Sequence, residues 1–312
     1  MSRHNSVDLD SPDRPFDNII NFRDVGRSIN QFCRKEILKE GVFFRSARLD
    51  DASERDKKRL ADELHIHTVI DLRSQTEHQM GTRKRRAEIA KSESEQEISE
   101  SDLTTAPVPT NPDEHLLQIP GSERALISLT GKGFERALLS KLDWYTYLKA
   151  ISLVTTGYRS DAVRLICQTA MVPRGLTGLA QDTLESSKAE VRAVFEILAK
   201  EDSYPTLVHC TQGKDRTGLV VLMMLLLVGD AVPTAAIVDD YSRSELELVP
   251  EFEERMKEIR AIGLGEDYTR CPAGFVTDTT EYLEKFGGVT GYLEKIGVGA
   301  EMQERVRRKF LA

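Results

Sequence analysis

Apolar and polar positions follow two different rhythms along this chain. Val42-Phe43-Phe44-Arg45-Ser46, Thr68-Val69-Ile70-Asp71-Leu72 and Thr206-Leu207-Val208 are short runs, β-branched or aromatic, that predict buried strands. Leu116 to Ile119 predicts one more. Elsewhere apolar residues return at helical spacing. Ser53 caps a helix running to about Leu64 with Asp56 near its start; Trp144, Tyr147, Leu148 and Ile151 mark another, and Val163 to Met171 a third. Val191, Val194, Phe195, Ile197 and Leu198 give an amphipathic helix just before Thr206. Leu219 to Val228 is apolar on every side, a core helix too short for the ~20 residues that cross a bilayer. Gly229 closes it, and Pro233-Thr234 opens the next, carrying Ile237, Val238 and Tyr241. A charged helix over Phe252 to Ile262, a loop over 265–273 and helical segments near Thr279 to Phe286 and Ala300 to Leu311 complete the chain. Gly26 marks a turn and Gly175 to Gly178 a break.

Strands separated by helices predict an α/β fold. Open α/β sheets hold their ligands at the C-terminal ends of the strands, where Asp71 and Arg73 fall. Residues 1–16 form a loose polar arm, and 17–312 is expected to be a single domain. One stretch inside it differs. Arg83-Lys84-Arg85-Arg86 leads into the Ser, Glu, Gln and Asp of 92–102 and then Thr and Pro, so 83–112 is expected to be a flexible insertion unable to bury a core. The basic cluster reads as a solvated helix end in preference to a localisation or acidic-lipid patch.

Composition narrows the partners. A formal net charge of −8 on 312 residues excludes broad electrostatic binding of nucleic acid. Four scattered cysteines, Cys33, Cys167, Cys210 and Cys271, make no disulfide framework and no zinc spacing, which predicts a reducing, cytoplasmic setting. Met1 to Pro15 has no apolar core of a signal peptide, and no segment is expected to span a membrane. His65 and His67 lack a third ligand, so no metal is expected.

The chemistry gathers at 205–218. A strand ends at His209, Cys210 follows, and Thr211-Gln212-Gly213-Lys214-Asp215-Arg216 leads into the apolar helix. Backbone N–H groups of a loop between strand and helix N-terminus converge on an anion. Cys210 is the nucleophile this arrangement suits, because a thiolate is favoured beside cations and a helix N-terminus. Arg216 offers a planar fork to two phosphate oxygens. Gly213 keeps the loop free of a side chain, and the Thr217 hydroxyl is placed to donate to the sulfur. His209 braces the loop and is not a general base. The reaction is two displacements through a phosphocysteine. It needs a carboxyl group to protonate the leaving oxygen and then activate water. Asp215, Asp71 and Asp24 are the candidates, with Asp71 also suited to holding Arg73 or Arg216 in an ion pair.

His209-Cys210-Thr211-Gln212-Gly213-Lys214-Asp215-Arg216-Thr217-Gly218 resembles the signature of cysteine-dependent phosphatases, specifically the tyrosine/serine phosphatase family of bacteria and fungi. Asn21 to Gly26 is similar to that family's Asn-Phe-Arg-Asp-Leu-Gly segment, and Phe44-Arg45-Ser46 to its Arg-Ser strand. Asp71-Leu72-Arg73-Ser74 with Glu77, Asp240-Tyr241 with Ser244, and Gly291-Tyr292-Leu293 match further motifs. Val25 and Arg27 depart from it, standing where leucine and a second glycine are usual. The resemblance implies a protein-tyrosine-phosphatase-like fold: a central, mostly parallel sheet flanked by helices, with a strand–loop–helix active site and no metal or cofactor. It implies phosphotyrosine, phosphoserine/threonine or phosphoinositide substrates. A loop with Lys214 and Asp215 is also similar to that of myotubularin-like lipid phosphatases, where the loop aspartate is the candidate acid, and Lys214 favours a multiply phosphorylated headgroup. The competing readings are a phospho-ligand binding module of the same fold and a rhodanese-like sulfur-transfer or oxyanion-reducing enzyme. Lys214, Asp215, Arg216 and Thr217 together fit phosphate better than either.

Overall fold

The β-branched runs become the centre of one sheet. The computed structural model describes residues 15–93 and 114–312. Its strands are β1 (Arg23–Asp24), β2 (Phe43–Ser46), β3 (Thr68–Asp71), β4 (Glu123–Leu126) and β5 (Thr206–His209), arranged β1-β2-β5-β3-β4. Only the short edge pair β1–β2 is antiparallel. Asp71 and Ser46 lie level with His209 on either side of it, so three strands end together where the Cys210 loop begins.

Side-chain alternation sorts the two faces. Phe43, Ile70 and Val208 join the larger apolar cluster, and Phe44, Val69 and Leu207 the smaller one beneath α2 (Glu54–Lys58), which a π-helical turn over Arg59–Glu63 extends. The larger face carries α1 (Val25–Cys33), α8 (Lys188–Leu198), α9 (Asp215–Val228), α10 (Thr234–Glu247), α12 (Phe275–Glu284), α13 (Gly288–Lys295) and α14 (Ala300–Phe310). At its centre is α9. Leu219 to Leu225 are all buried, each side chain contributing roughly 1.5–3 kcal/mol of transfer free energy. The α/β class with a mostly parallel, helix-flanked sheet is therefore as expected.

Ser53 caps α2 in a reciprocal box with Asp56, whose carboxylate also accepts from the backbone N–H groups of Asp17 and Asn18 and ties down the incoming chain. Other expectations shift. Leu116 to Ile119 is not a strand; Leu117 and Ile119 pack into the smaller cluster, and β4 forms four residues further on. Gly26 is inside α1, where a Cβ would lie 2.3 Å from the Lys39 carbonyl oxygen, so its glycine answers a close approach and not a turn. The helix α3 (Gln75–Glu93) carries Arg83 to Arg86 and continues to Glu93, so the first part of the expected insertion is helical. Its remainder and residues 1–14 lie outside the described residues. Helices α4 (Lys132–Ser140) and α7 (Gly175–Ser186) pack against one another around a separate small apolar cluster of Phe134 and Leu138, α7 starting at the expected glycine break.

A hairpin of α5 (Trp144–Thr155) and α6 (Arg159–Ile166) stands out from the body. The expected periodicity is present in α5, yet its apolar side meets solvent, with Trp144 75% exposed. No described helix is long and apolar enough to cross a membrane.

Candidate active site

Between β5 and α9 the backbone turns at Cys210–Lys214, and its carbonyls are drawn outward one after another. The Arg48 N–H donates to the Thr211 carbonyl at 3.1 Å. Asn21 Nδ2 donates to that of Gln212 at 2.8 Å, and Arg45 Nη2 to that of Gly213 at 2.7 Å. In a planar trans peptide each such carbonyl forces the next N–H the opposite way. The N–H groups of Gln212, Gly213 and Lys214 consequently face inward, and none has an acceptor among the described residues. Gly213 is required here: its φ is +65°, and a Cβ would lie 2.1 Å from the Ser46 carbonyl oxygen.

The outer donors are themselves held. Arg45 is wholly buried, its Nη1 2.5 Å from Asp240 Oδ2, while Arg23 Nε donates to Asp240 Oδ1 at 2.7 Å. Burial outweighs this pairing and lowers Arg45 to about 10. Asn21 adopts a left-handed φ of 54° and accepts from Arg23 through Oδ1. These residues come from the Asn21–Asp24, Phe44–Ser46 and Asp240–Ser244 motifs. Their role in clamping the loop is not readable from any one segment; the only local signal is an arginine inside an apolar strand.

Arg216 ends the loop, and Glu77 grips its fork. Nη1 and Nη2 each donate to a Glu77 oxygen at 2.6 Å, and Nη1 reaches Thr130 Oγ1 at 3.2 Å. The guanidinium has a second edge, Nε with Nη2, on which two phosphate oxygens can be bound. Burial opposes ionisation of both partners, but each charge outweighs it for the other, holding Glu77 well below the carboxylate range and Arg216 above its ordinary value. Thr211 Oγ1 also donates to Glu77. Cys210, buried at the start of the loop, lies within Coulombic range of Arg45, Arg216 and Arg255.

The three candidate acids occupy unlike places. Asp215 is the first residue of α9, one-third exposed, and accepts from the Tyr241 hydroxyl at 3.4 Å, with Lys214 Nζ at 3.6 Å. Tyr241 is fixed by stacking on Phe275, ring centroids 4.2 Å apart, and burial, then Asp215, pushes its phenol well above its ordinary value. Asp71 belongs to the opposite sheet face. It is fully buried and accepts from Arg73 Nε and Nη2. Burial raises its carboxyl, but the cations facing it (His209 when protonated, then Arg73) outweigh burial and keep it far below the usual range. Asp24 caps α1, accepting from the Arg27 N–H at 3.3 Å, and burial raises its carboxyl.

The other expected residues divide. Arg73 spans Asp71 and Asp50, away from the loop. His209 sits 3.5 Å from Asp71, with Nδ1 3.2 Å from the Cys210 carbonyl oxygen. Thr217 is buried, and its hydroxyl has no partner among the described residues, the Cys210 sulfur included. Lys214 is wholly buried and its Nζ donates to the carbonyls of Tyr268 and Arg270 at 3.0 and 2.7 Å. Its cation thus holds the 266–270 turn. Thr130 and Arg255 have no expectation behind them. Among the described residues no group of three or more His, Cys, Asp or Glu side chains is placed to hold a metal ion.

The model of the tyrosine phosphatase family matches residues 14–312. A tyrosine-protein phosphatase of Nostoc commune is 30% identical over 181 residues, covering 54% of this chain and 59% of the relative. The chain thus spans somewhat more than half the length of that relative. The triple specificity protein phosphatase PtpB of Mycobacterium tuberculosis is 26% identical over 310 residues, covering 92% of this chain and 95% of the relative. With the family model matched along nearly its whole length and the loop built around Cys210 and Arg216, this chain belongs to the tyrosine phosphatase family.

Proposed function

We propose that this protein hydrolyses phosphomonoesters through a phosphocysteine, with phosphotyrosine or phosphoserine/threonine proteins as substrates. The observation that carries the reading is the row of loop carbonyls held outward by Arg48, Asn21 and Arg45, which turns the N–H groups of Gln212, Gly213 and Lys214 toward one centre beside Cys210. The Cys210 thiolate attacks phosphorus, the phosphorus–oxygen bond breaks, and the leaving oxygen takes a proton from Asp215. Water then attacks the phosphocysteine, Asp215 takes its proton, and phosphate leaves as the thiolate returns. Arg216 and the inward N–H groups hold the equatorial oxygens in both steps.

Asp215 is preferred as the acid because it is exposed at the loop and positioned by Tyr241. Asp71 is already engaged by Arg73 on the opposite face of the sheet. A phosphoinositide substrate is the second reading, favoured by an acid within the loop. It loses the support of Lys214, whose ammonium is engaged elsewhere. Four unpaired cysteines suit a cytoplasmic setting.

The test compares Asp215→Asn and Asp71→Asn on aryl phosphates with good and poor leaving groups. Asp215→Asn is expected to lose roughly 10²–10⁴-fold on the poor one and far less on the good one. Asp71→Asn should lose equally on both. Reversal of that pattern rejects Asp215, and undiminished turnover by Cys210→Ser rejects the cysteine mechanism.

A further inference from the structure

We propose that Arg255 forms a second anion site beside the loop, taking an acidic group that flanks the phosphorylated residue of a peptide substrate. This rests on the phosphatase reading and adds a specificity-determining residue to it.

Arg255 lies on α11 (Phe252–Ala261), one turn before Ile259 on the same face and one turn after Glu251, the residue that precedes the helix. Both of these neighbours are tied to the loop. Glu251 accepts from Arg48 Nη2 at 3.3 Å, and the Arg48 N–H holds the Thr211 carbonyl. Ile259 packs with Leu264 and Tyr268, and the Tyr268 carbonyl takes Lys214 Nζ. Arg255, between them, lies within Coulombic range of Asp215 and Cys210, at the two ends of the loop.

Arg255 as a residue is only 2% exposed, and its Nε and Nη2 are buried without a hydrogen-bond partner among the described residues. Those two nitrogens form one edge of the fork, the edge that takes a carboxylate or phosphate side-on. Asp215, Glu251 and Glu258 are near enough to favour its charge, and burial still lowers its pKa. None of the three bonds to it. A buried, unpaired cation is costly, and a partner that arrives with substrate removes the cost.

Neighbouring cations are already engaged: Arg45 by Asp240 and Gly213, Arg216 by Glu77, Lys214 by two carbonyls, and Arg48 by Asp51 and Glu251. One unengaged edge matches one extra anionic group. A headgroup with several phosphates would ask for more cations than this rim offers, so an acidic phosphopeptide fits better.

The experiment uses phosphotyrosine peptides identical except for alanine, glutamate or a second phosphotyrosine next to the reacting residue, each measured against aryl phosphate in the same protein. Wild type should prefer the acidic peptides by roughly 10- to 100-fold in kcat/KM, through KM. Arg255→Met should erase that ratio and Arg255→Lys keep part of it. Arg255→Met should also not lower the Tm of the free protein, since it removes an unpaired charge; a purely structural arginine would show a loss. Binding of the same peptides to Cys210→Ser protein, read as Kd, repeats the comparison without turnover. Failure of hydrolysis would therefore overturn the phosphatase reading and leave this one standing or falling on Kd. Equal handling of acidic and neutral peptides by wild type overturns the proposal. So does dependence on Arg255 confined to short-chain phosphoinositide bisphosphates over monophosphates, which would assign the site to a lipid headgroup.

Discussion

Glu77 performs two tasks with one carboxylate. Locally it completes a capping box, accepting from the Ser74 N–H and hydroxyl at 2.8 Å while its own N–H meets Ser74 Oγ at 3.3 Å. The same oxygens hold both η nitrogens of Arg216, 139 positions away. Glu77→Gln separates the tasks, because glutamine serves in a capping box but brings no charge to the guanidinium. The expected result is a lowered Tm, because a buried guanidinium loses its carboxylate while the cap is kept, and a loss of about 10²-fold in kcat for an aryl phosphate, the order that follows from misplacing a positioning group. Unchanged kcat would mean that Arg216 is oriented without Glu77. The cap half of this role is written in Ser74-x-x-Glu77 and legible as such. The arginine half is not, since no local pattern reports which distant side chain a helix N-terminus will meet. Lys214 illustrates the same limit: its place in the motif suggests a phosphate ligand, and only the fold reveals the two carbonyls that take its ammonium.

At the level of elements, β2, β3, β5 and α9 were legible because burial on both faces selects continuous apolar runs. The edge strand β4, Glu-Arg-Ala-Leu, carries no such run, since only its pairing with β3 makes it a strand. Helix α1 was hidden by Gly26, whose presence reflects the passing Lys39 carbonyl. What these elements accomplish together is a rigid back for the loop. Arg45 from β2 and Asp240 from α10 form a buried pair that reaches the Gly213 carbonyl. Arg45→Met strands Asp240 with Arg23 alone and frees that carbonyl. Breaking one partner of a buried pair typically costs about 3–5 kcal/mol. A lowered urea midpoint, with a kcat loss persisting under conditions where the variant is still folded, is the expected outcome. A variant that is destabilised yet fully active per folded molecule would show that the loop keeps its shape without Arg45.

Across the whole molecule, pH acts through groups buried near the ends of β3 and β5. Burial outweighs the attraction of Asp71 and pulls His209 down to about 4, from an ordinary value near 6.5. Between those values the unfolded chain binds a proton that the folded chain refuses, so stability is lost as pH falls from about 6.5 to about 4. His115, also lowered by burial, adds to the same slope. Asp71 and Glu77 act in a different window. Their folded carboxyls are depressed, so their contribution is complete above about 4.3 and is lost only at lower pH. Acidification from pH 7.5 to 5 therefore titrates the histidines and spares the carboxylates that hold Arg73 and Arg216. Wild-type Tm should fall across that range, and His209→Gln, which stays neutral, should show a shallower fall. Melting curves at pH 7.5, 6 and 5 decide it: parallel slopes for the two proteins would remove His209 as the cause. A Tm that rises toward pH 5 would mean that His209 is protonated in the fold, as the cationic partner of Asp71.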